Sequence, residues 1–319
     1  MDLRQLNTFL QVAELGSLSK AADRLRIAQP ALSRQIRMLE AELKVALFAR
    51  HGRGMALTPA GETLRARAAG ILRQVEDTRA DLIQDSGAVR GRVVFGMPPT
   101  VGAVVATRLV ERFLAAHPEV TLRVVQAFSG YLLEWLQGGE IDIAVVYAGA
   151  AAAGVRTSPL LVENLCFVTP AARALPPHHA VAFAEVAGER LVLPGPQHGL
   201  RQIIEAEARR RGLPLQVVVE ADDLPVLKEL ALKGLGCTIL PRAAVHAEVS
   251  AGRLCAAPII EPHLSRKLVV AEPLGRRPSN AVRRFAAALR VEVGMMVRAG
   301  LWDGQLLDAE VAPADRIPA

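Results

Sequence analysis

Residues 18–43 read LSKAADRLRIAQPALSRQIRMLEAEL, and a short step later residues 47–61 read LFARHGRGMALTPAG. Ser17 and Ser19 offer N-cap oxygens to a short helix through Ala21, Ala22 and Leu25, whose small residues let a second helix approach closely. The chain turns at Arg26 and Ile27, and Gln29-Pro30 opens the next helix, with proline placed in a first turn that needs no intrahelical donor. Ala31, Leu32, Ile36, Leu39 and Leu43 form the expected buried stripe, and the opposite face carries Gln29, Ser33, Arg34 and Arg37. Two short helices across a tight turn, the second presenting polar and basic groups from its N-terminal end, suit a DNA major groove. Gln can bond a base edge in bidentate fashion, Arg prefers guanine, and Ser is tolerant. A basic stripe on its own is more often a solvated face.

The flanking sequence tips that balance. Upstream, Leu3, Leu6, Phe9, Leu10 and Ala13 recur at helical spacing up to Gly16, a helix-stop residue. Downstream, Leu47-Phe48 leads into a hairpin with Arg50, His51 and Arg53 at its tip and Met55 and Leu57 returning to the core, a wing that can place Arg in a minor groove. Arg24, Arg26, Arg34, Arg37, Lys44, Arg50 and Arg53 crowd this stretch, whose acids are Glu40 and Glu42. Such a surface faces phosphate well.

These two quoted stretches together resemble the N-terminal signature of the LysR-type transcriptional regulators. The resemblance implies that Gln29, Pro30, Ser33 and Arg34 meet the major groove and that Arg53 reaches the minor groove; Arg37 and Arg50 join them as candidate DNA contacts. The family usually has Gly where this chain has Lys44, so that residue must bear left-handed backbone or the helix must end differently. From Thr58, a plausible cap, TPAGETLRARAAGILRQVEDTRADLIQD runs helical. Its long apolar stripe either packs on its own winged domain or pairs with a second copy, which the resemblance also implies.

Beyond Ser86-Gly87, RVVFG, VTLRVVQAF and IDIAVVY read as buried strands alternating with helices near 100–116 and 129–137. A second series follows in LCFVT, RLVLPGP, a helix over 198–211, LQVVVE, a helix over 224–233, and CTILP. RKLVVAE and a helix from Asn280 toward Val297 are expected to return to the first series, with crossovers near Val162 and Leu268. The outcome is an α/β effector domain of two subdomains, periplasmic-binding-protein-like, with a ligand cleft at the carboxyl ends of the strands. Candidate effector-binding residues are Pro99, Thr100, Ser129, Tyr147, His198, Gly199, Arg201 and Cys237. Thr100 and Ser129 each open a helix, either as anion sites or as ordinary caps. The segments GMPPT, SGYLLEWLQGGEIDIAVVY, HGLRQIIE and LALKGLGCTILP extend the resemblance over nearly the whole chain, and the PPT and SGYLLEWL wording is most like the nitrogen-assimilation-control branch.

The expected domains are a winged helix-turn-helix over 1–58, a linker and dimerisation helix over 59–88, an effector domain over 89–300 and a tail over 301–319 that extends beyond it. Within the effector domain, subdomain I takes about 91–162 and 268–300 and subdomain II about 163–267. The 319 residues suffice for two cores, and half of them are apolar. A net charge of +6 permits a polyanionic partner without requiring one. The start MDLRQLNTFLQVAELG lacks an export signal, and no apolar run spans a bilayer, so a cytoplasmic, membrane-free protein is expected. Cys166, Cys237 and Cys255 form no CxxC pair, and no cofactor or metal is expected.

The function read from these residues is a sequence-specific DNA-binding regulator modulated by a small, anionic effector. Double-stranded DNA, that effector and further copies of the chain, as homodimer or homotetramer, are the expected partners, with RNA polymerase a candidate. An enzyme of the same α/β fold is disfavoured, because no P-loop, GxGxxG, GxSxG or HExxH occurs. Two further functions compete with the effector-modulated regulator: an exported solute-binding protein, and a constitutive regulator that has no effector.

Overall fold

The computed structural model describes residues 1–51, 54–82, 88–149, 153–173 and 179–307. The N-terminal part packs α1 (Leu3–Leu15), α2 (Leu18–Leu25) and α3 (Gln29–Leu43) beside a hairpin of β1 (Phe48–His51) and β2 (Gly54–Leu57). Asp2 and Gln5 close a capping box at the start of α1, and Gly16 ends that helix in left-handed backbone. Leu6, Phe9, Val12, Ala21, Ala22, Leu32, Ile36 and Leu39 form one core with Leu47, Phe48 and Ala68. Ala31 is exposed and departs from the expected stripe: the other members repeat at four-, three- and four-residue steps along one face, and Ala31 lies off that line.

The long helix α4 (Pro59–Leu82) begins where Thr58 Oγ1 accepts from Gly61 N at 3.0 Å. It buries Ala68 and packs the half-buried Ala60, Leu64 and Leu72 against the winged domain, while Ile71 and Leu82 remain exposed. The apolar residues of α4 are thus divided between its own domain and solvent.

The remainder is α/β. In chain order come β3 (Gly91–Met97), α5 (Pro99–Ala116), β4 (Val120–Gln126), α6 (Ser129–Gly138), β5 (Ile143–Tyr147), β6 (Val155–Pro170), β7 (Val181–Ala182), α7 (Phe183–Ala187) and β8 (Arg190–Leu193). They are followed by α8 (Gly199–Arg211), β9 (Gln216–Glu220), α9 (Leu224–Leu232), β10 (Thr238–Pro241), α10 (His246–Ser250), β11 (Leu254–Ile260), β12 (Ser265–Pro273), α11 (Asn280–Arg298) and β13 (Gly304–Leu306). The principal sheet runs β4-β3-β5-β12-β6-β11-β7, and β10 and β13 also pair with β6. At 16 residues, β6 extends about 50 Å at the usual strand rise. Its first half pairs with β12 and β13, its second half with β10 and β11, and the two halves serve two separate cores. Val162 and Lys267 are register partners, and the ladder shifts between Leu268 and Val269.

Strands β7, β11 and β13 have no counterpart in the expected series. The expectation that the chain leaves the domain at residue 301 also needs correction. Trp302 is 1% exposed, and β13 just after it is hydrogen-bonded to β6. The rest of the expected tail, from residue 308, lies outside the described residues. Among the described residues no helix is long and apolar enough to cross a membrane, and no cluster of His, Cys, Asp or Glu could hold a metal ion.

Candidate functional site

Helix α2 starts on Ser17, whose Oγ accepts from Lys20 N at 3.4 Å, and ends on Arg26 in left-handed backbone. Ile27 N returns to Ala22 O at 3.1 Å, so the turn into α3 is closed by its own main chain. Ala28, the N-cap of α3, has no side chain that can satisfy the first-turn N–H groups. Gln29, Pro30, Arg34 and Arg37 are exposed and Ser33 is half-buried, opposite the buried Leu32, Ile36 and Leu39. Thr8 Oγ1 donates to Gln35 Oε1 at 2.6 Å and ties α1 to α3.

The two acids of this basic stretch are both engaged. Glu40 Oε1 accepts from Leu47 N at 2.8 Å and Phe48 N at 3.2 Å, which fixes the start of the hairpin, and Glu42 pairs with the chain's amino terminus. Lys44 ends α3 at φ 56° and ψ 28°, so this non-glycine residue bears the left-handed backbone, and α3 still stops there. In the hairpin Arg50 faces Met55 in register and His51 faces Gly54. Gly54 must be glycine: its φ is +141°, and a Cβ would come within 2.5 Å of Gly16 O. Arg53, the expected minor-groove residue, lies outside the described residues.

The second group of candidate residues gathers where α5, α6 and α8 begin, at the carboxyl ends of β3, β5 and β8. Neither Thr100 nor Ser129 caps its own helix; the N-cap positions are Pro98 and Phe128. Thr100 Oγ1 instead lies 2.9 Å from Tyr147 Oη, and Ser129 Oγ accepts from Tyr147 N at 3.1 Å. Gly199 lets α8 start against Tyr147, since a Cβ there would be 2.9 Å from Tyr147 Cδ2. Pro99 is the first residue of α5, and His198 packs edge-on to Phe128 with ring centroids 4.7 Å apart.

At the centre is a residue that sequence reasoning missed. Arg266, 3% exposed, donates Nη1 to Tyr147 Oη at 2.7 Å, Nη2 to Thr100 Oγ1 at 2.9 Å and Nε to Glu163 Oε1 at 2.5 Å. Trp302 Nε1 donates to Glu163 Oε2 at 2.7 Å. Arg266 was legible in principle, because it shares the inward register of β12 with Leu268 and Val270, which are buried. Burial opposes its charge, but Glu163 and then Tyr147 more than offset this, so its pKa moves above the ordinary arginine value. Burial raises the Tyr147 pKa. Burial first, and then the Arg266 charge, push His198 down to about 4, so its imidazole is neutral at physiological pH; Nδ1 accepts from Leu200 N at 3.0 Å.

Two candidates do not join this cluster. Arg201 is committed to Glu205, Glu220 and Pro194 O, at 2.7, 3.1 and 3.0 Å, and brings no free charge to the cleft. Cys237 sits just before β10, and its N–H bonds Arg190 O at the amino end of β8, whereas the cleft forms at the carboxyl end. Its Sγ instead accepts from Arg173 Nη1 at 3.4 Å.

An exposed helix-turn-helix face joined to a two-core α/β body narrows the families to which the chain can belong, and comparison with known proteins decides among them. Residues 3–62 match the bacterial regulatory helix-turn-helix protein, lysR family, and residues 86–293 match the LysR substrate binding domain. The chain belongs to the LysR family of transcriptional regulators. This LysR regulator is 30% identical over 304 residues to the HTH-type transcriptional regulator BbuR of Bordetella bronchiseptica, covering 95% of this chain and 94% of that one. It is 32% identical over 269 residues to the nitrogen assimilation regulatory protein nac of Klebsiella aerogenes, covering 84% and 87%. A hydrogen peroxide-inducible genes activator of Dickeya chrysanthemi is 29% identical, covering 89% and 92%, so the likeness extends beyond the nitrogen-assimilation relatives. In fold the regulator is similar to a full-length OxyR variant from Pseudomonas aeruginosa, with a TM-score of 0.73 at 24% identity, covering 91% and 98%. The chain is a DNA-binding transcription regulator with an effector-binding domain.

Proposed function

We propose that Gln29, Pro30, Ser33, Arg34 and Arg37 read operator DNA, that Arg50 and Arg53 hold its backbone and minor groove, and that the regulator acts in the cytoplasm without catalysis. The observation that carries the DNA assignment is the exposed polar face of α3 with both nearby acids engaged elsewhere, so that Arg34 and Arg37 form no ion pair among the described residues and suit phosphate and guanine. The effector is a small anion that enters between the two halves of the α/β body, over residues 89–300, near Pro99, Thr100, Ser129, Tyr147, His198 and Gly199. Arg266 supplies the cation, and the uncapped first turns of α5 and α6 add partial positive charge. Ile71 and Leu82, exposed on α4, suit pairing with the α4 of a second copy, as homodimer or as a dimer of dimers. RNA polymerase is a candidate partner.

The test is fluorescence anisotropy of the full-length protein against DNA from just upstream of its own gene and against a scrambled duplex, at fixed physiological salt. Tight binding to the first alone is expected. Equal, strongly salt-dependent binding to both duplexes would reduce the protein to a non-specific DNA binder.

A further inference from the structure

Asp142 lies in the turn between α6 and β5 and is 4% exposed. Its Oδ2 accepts from Val94 N at 2.8 Å, and its Oδ1 accepts from Arg276 Nη2 at 3.0 Å and from Arg73 Nη1 at 3.4 Å. Arg73 belongs to α4, so this one buried carboxylate joins the linker helix to the effector domain. Beside it the two backbones touch: a Cβ on Gly139 would lie 2.6 Å from the Gly70 Cα, so the contact tolerates no side chain. A cavity of about 640 Å³, lined by α4 and α6 residues such as Arg67, Ile71, Glu134 and Gln137, opens next to this contact. Arg276 Nη1 is buried there and has no hydrogen-bond partner among the described residues. A narrow contact flanked by empty space and an unsatisfied donor is more easily parted than a packed interface.

The other end of the same two strands carries the cleft cluster. β5 and β12 are antiparallel neighbours, in register from Leu268 opposite Tyr147 to Ala271 opposite Ala144. At one end Arg266 is bonded to Tyr147; past the other, Arg276 is bonded to Asp142. Two polar knots therefore bracket one strand pair, whose mutual register runs unbroken between them from Leu268 to Ala271.

We propose that Asp142 is a positioning residue that couples the cleft to the linker helix. An anion that draws the Arg266 guanidinium away from Tyr147 and Thr100 moves β12 against β5, displaces the Asp142–Arg276 pair, and releases Arg73, the longest of the three bonds to Asp142. The angle of α4, and with it the spacing of the DNA-reading heads, then follows the state of the cleft. This rests on the reading of the cleft as the effector site.

The test is hydrogen exchange of the full-length protein with no DNA or metabolite added, so it does not depend on operator or effector being known. Arg73→Ala should speed exchange of α4 amides near residues 70–76. Tyr147→Phe, which removes a cleft hydroxyl and touches nothing on α4, should shift the same amides by about fivefold or more, the lower end of ordinary coupling between sites. That shift should vanish when Arg73→Ala is already present. Thr100→Val is measured in parallel, and protection of β3 reports that the domain stays folded, so loss of one variant leaves the other to decide. Cleft variants that leave α4 at the wild-type rate, or that shift it equally with and without Arg73, overturn the coupling. Failure of DNA binding by anisotropy alongside intact coupling would instead sink the operator reading alone.

Discussion

On α3 Gln29, Arg34 and Arg37 stand exposed, and neither arginine forms an ion pair among the described residues, whereas in the cleft Thr100, Tyr147, His198 and Arg266 are buried and the first two are bonded to Arg266. The surface proposed to face DNA is built on helices whose caps and turns are local, so its groups are held ready for a partner of fixed shape. The cleft is built from residues far apart in the chain, Thr100 and Arg266 being 166 positions apart, and its central arginine is already bonded to Thr100, Tyr147 and Glu163. A ligand that draws on Arg266 must replace existing bonds, and on the proposed reading that makes cleft occupancy able to change the protein's shape. Bound DNA selects among sequences; a bound effector must select among conformations.

This contrast is broken most severely by Arg266→Ala. Removing the guanidinium leaves Glu163 buried with Trp302 as a remaining partner, and stability should fall by about 3–5 kcal/mol in denaturant melts. The double change Arg266→Met with Glu163→Leu should recover most of that loss. If Arg266→Ala melts like the wild type, the cluster is not internally balanced in the way described.

The pH response sharpens the comparison next. His198 is pushed below its unfolded value, near 6.5, to about 4, so the unfolded chain binds the proton more readily between those values. Its contribution is fully present above about pH 6.5 and is lost as pH falls toward 4, amounting to about 2–3 kcal/mol. His198→Gln should flatten that slope of stability against pH, and an unchanged slope would place the acid sensitivity elsewhere.

Much of the winged domain could be read because its signals are local. Gly16, Ser17, Pro30 and Thr58 punctuate it within a few residues of what they cap, and Asp2 does the same for α1. In the α/β body the strand and helix alternation was equally legible, but the cleft was only half so. Thr100, Ser129 and Tyr147 follow from the rule that sites form at carboxyl strand ends. Arg266 and Glu163 come from strands that cross between the two cores, and each stands at the edge of an apolar run, where a charge reads as solvent-facing. Cys237 falls at the opposite end of the sheet from the cleft, because the sequence marks a turn without saying which end of the sheet it occupies. Trp302 escapes notice because a Pro-containing terminus hides a buried anchor at its start.

At the DNA surface, Arg34→Ala should cost about 1–3 kcal/mol on the cognate duplex and blur base preference. Arg50→Ala should weaken all sequences alike and lower the salt slope by about 1. Equal losses on specific and scrambled DNA for Arg34→Ala would remove it from base reading. The smallest effect is expected at Lys44→Gly. Relief of left-handed strain at φ 56° is offset in part by the freedom glycine adds to the unfolded chain, for a net gain of about 0.5–1 kcal/mol in thermal melts. A loss there would mean that the Lys44 side chain itself stabilises the helix end.

The indole of Trp302 and the carboxylate of Glu163 meet across 139 residues of sequence. A ribosome adding about 5–20 residues per second leaves that carboxylate waiting on the order of ten seconds for its partner during synthesis. Through that interval the winged head and the first strands of the body have already emerged, so a nascent chain acquires its helix-turn-helix head well before it can close its effector-binding domain. The timetable of translation, more than the strength of any finished contact, sets when a new molecule first becomes answerable to its ligand.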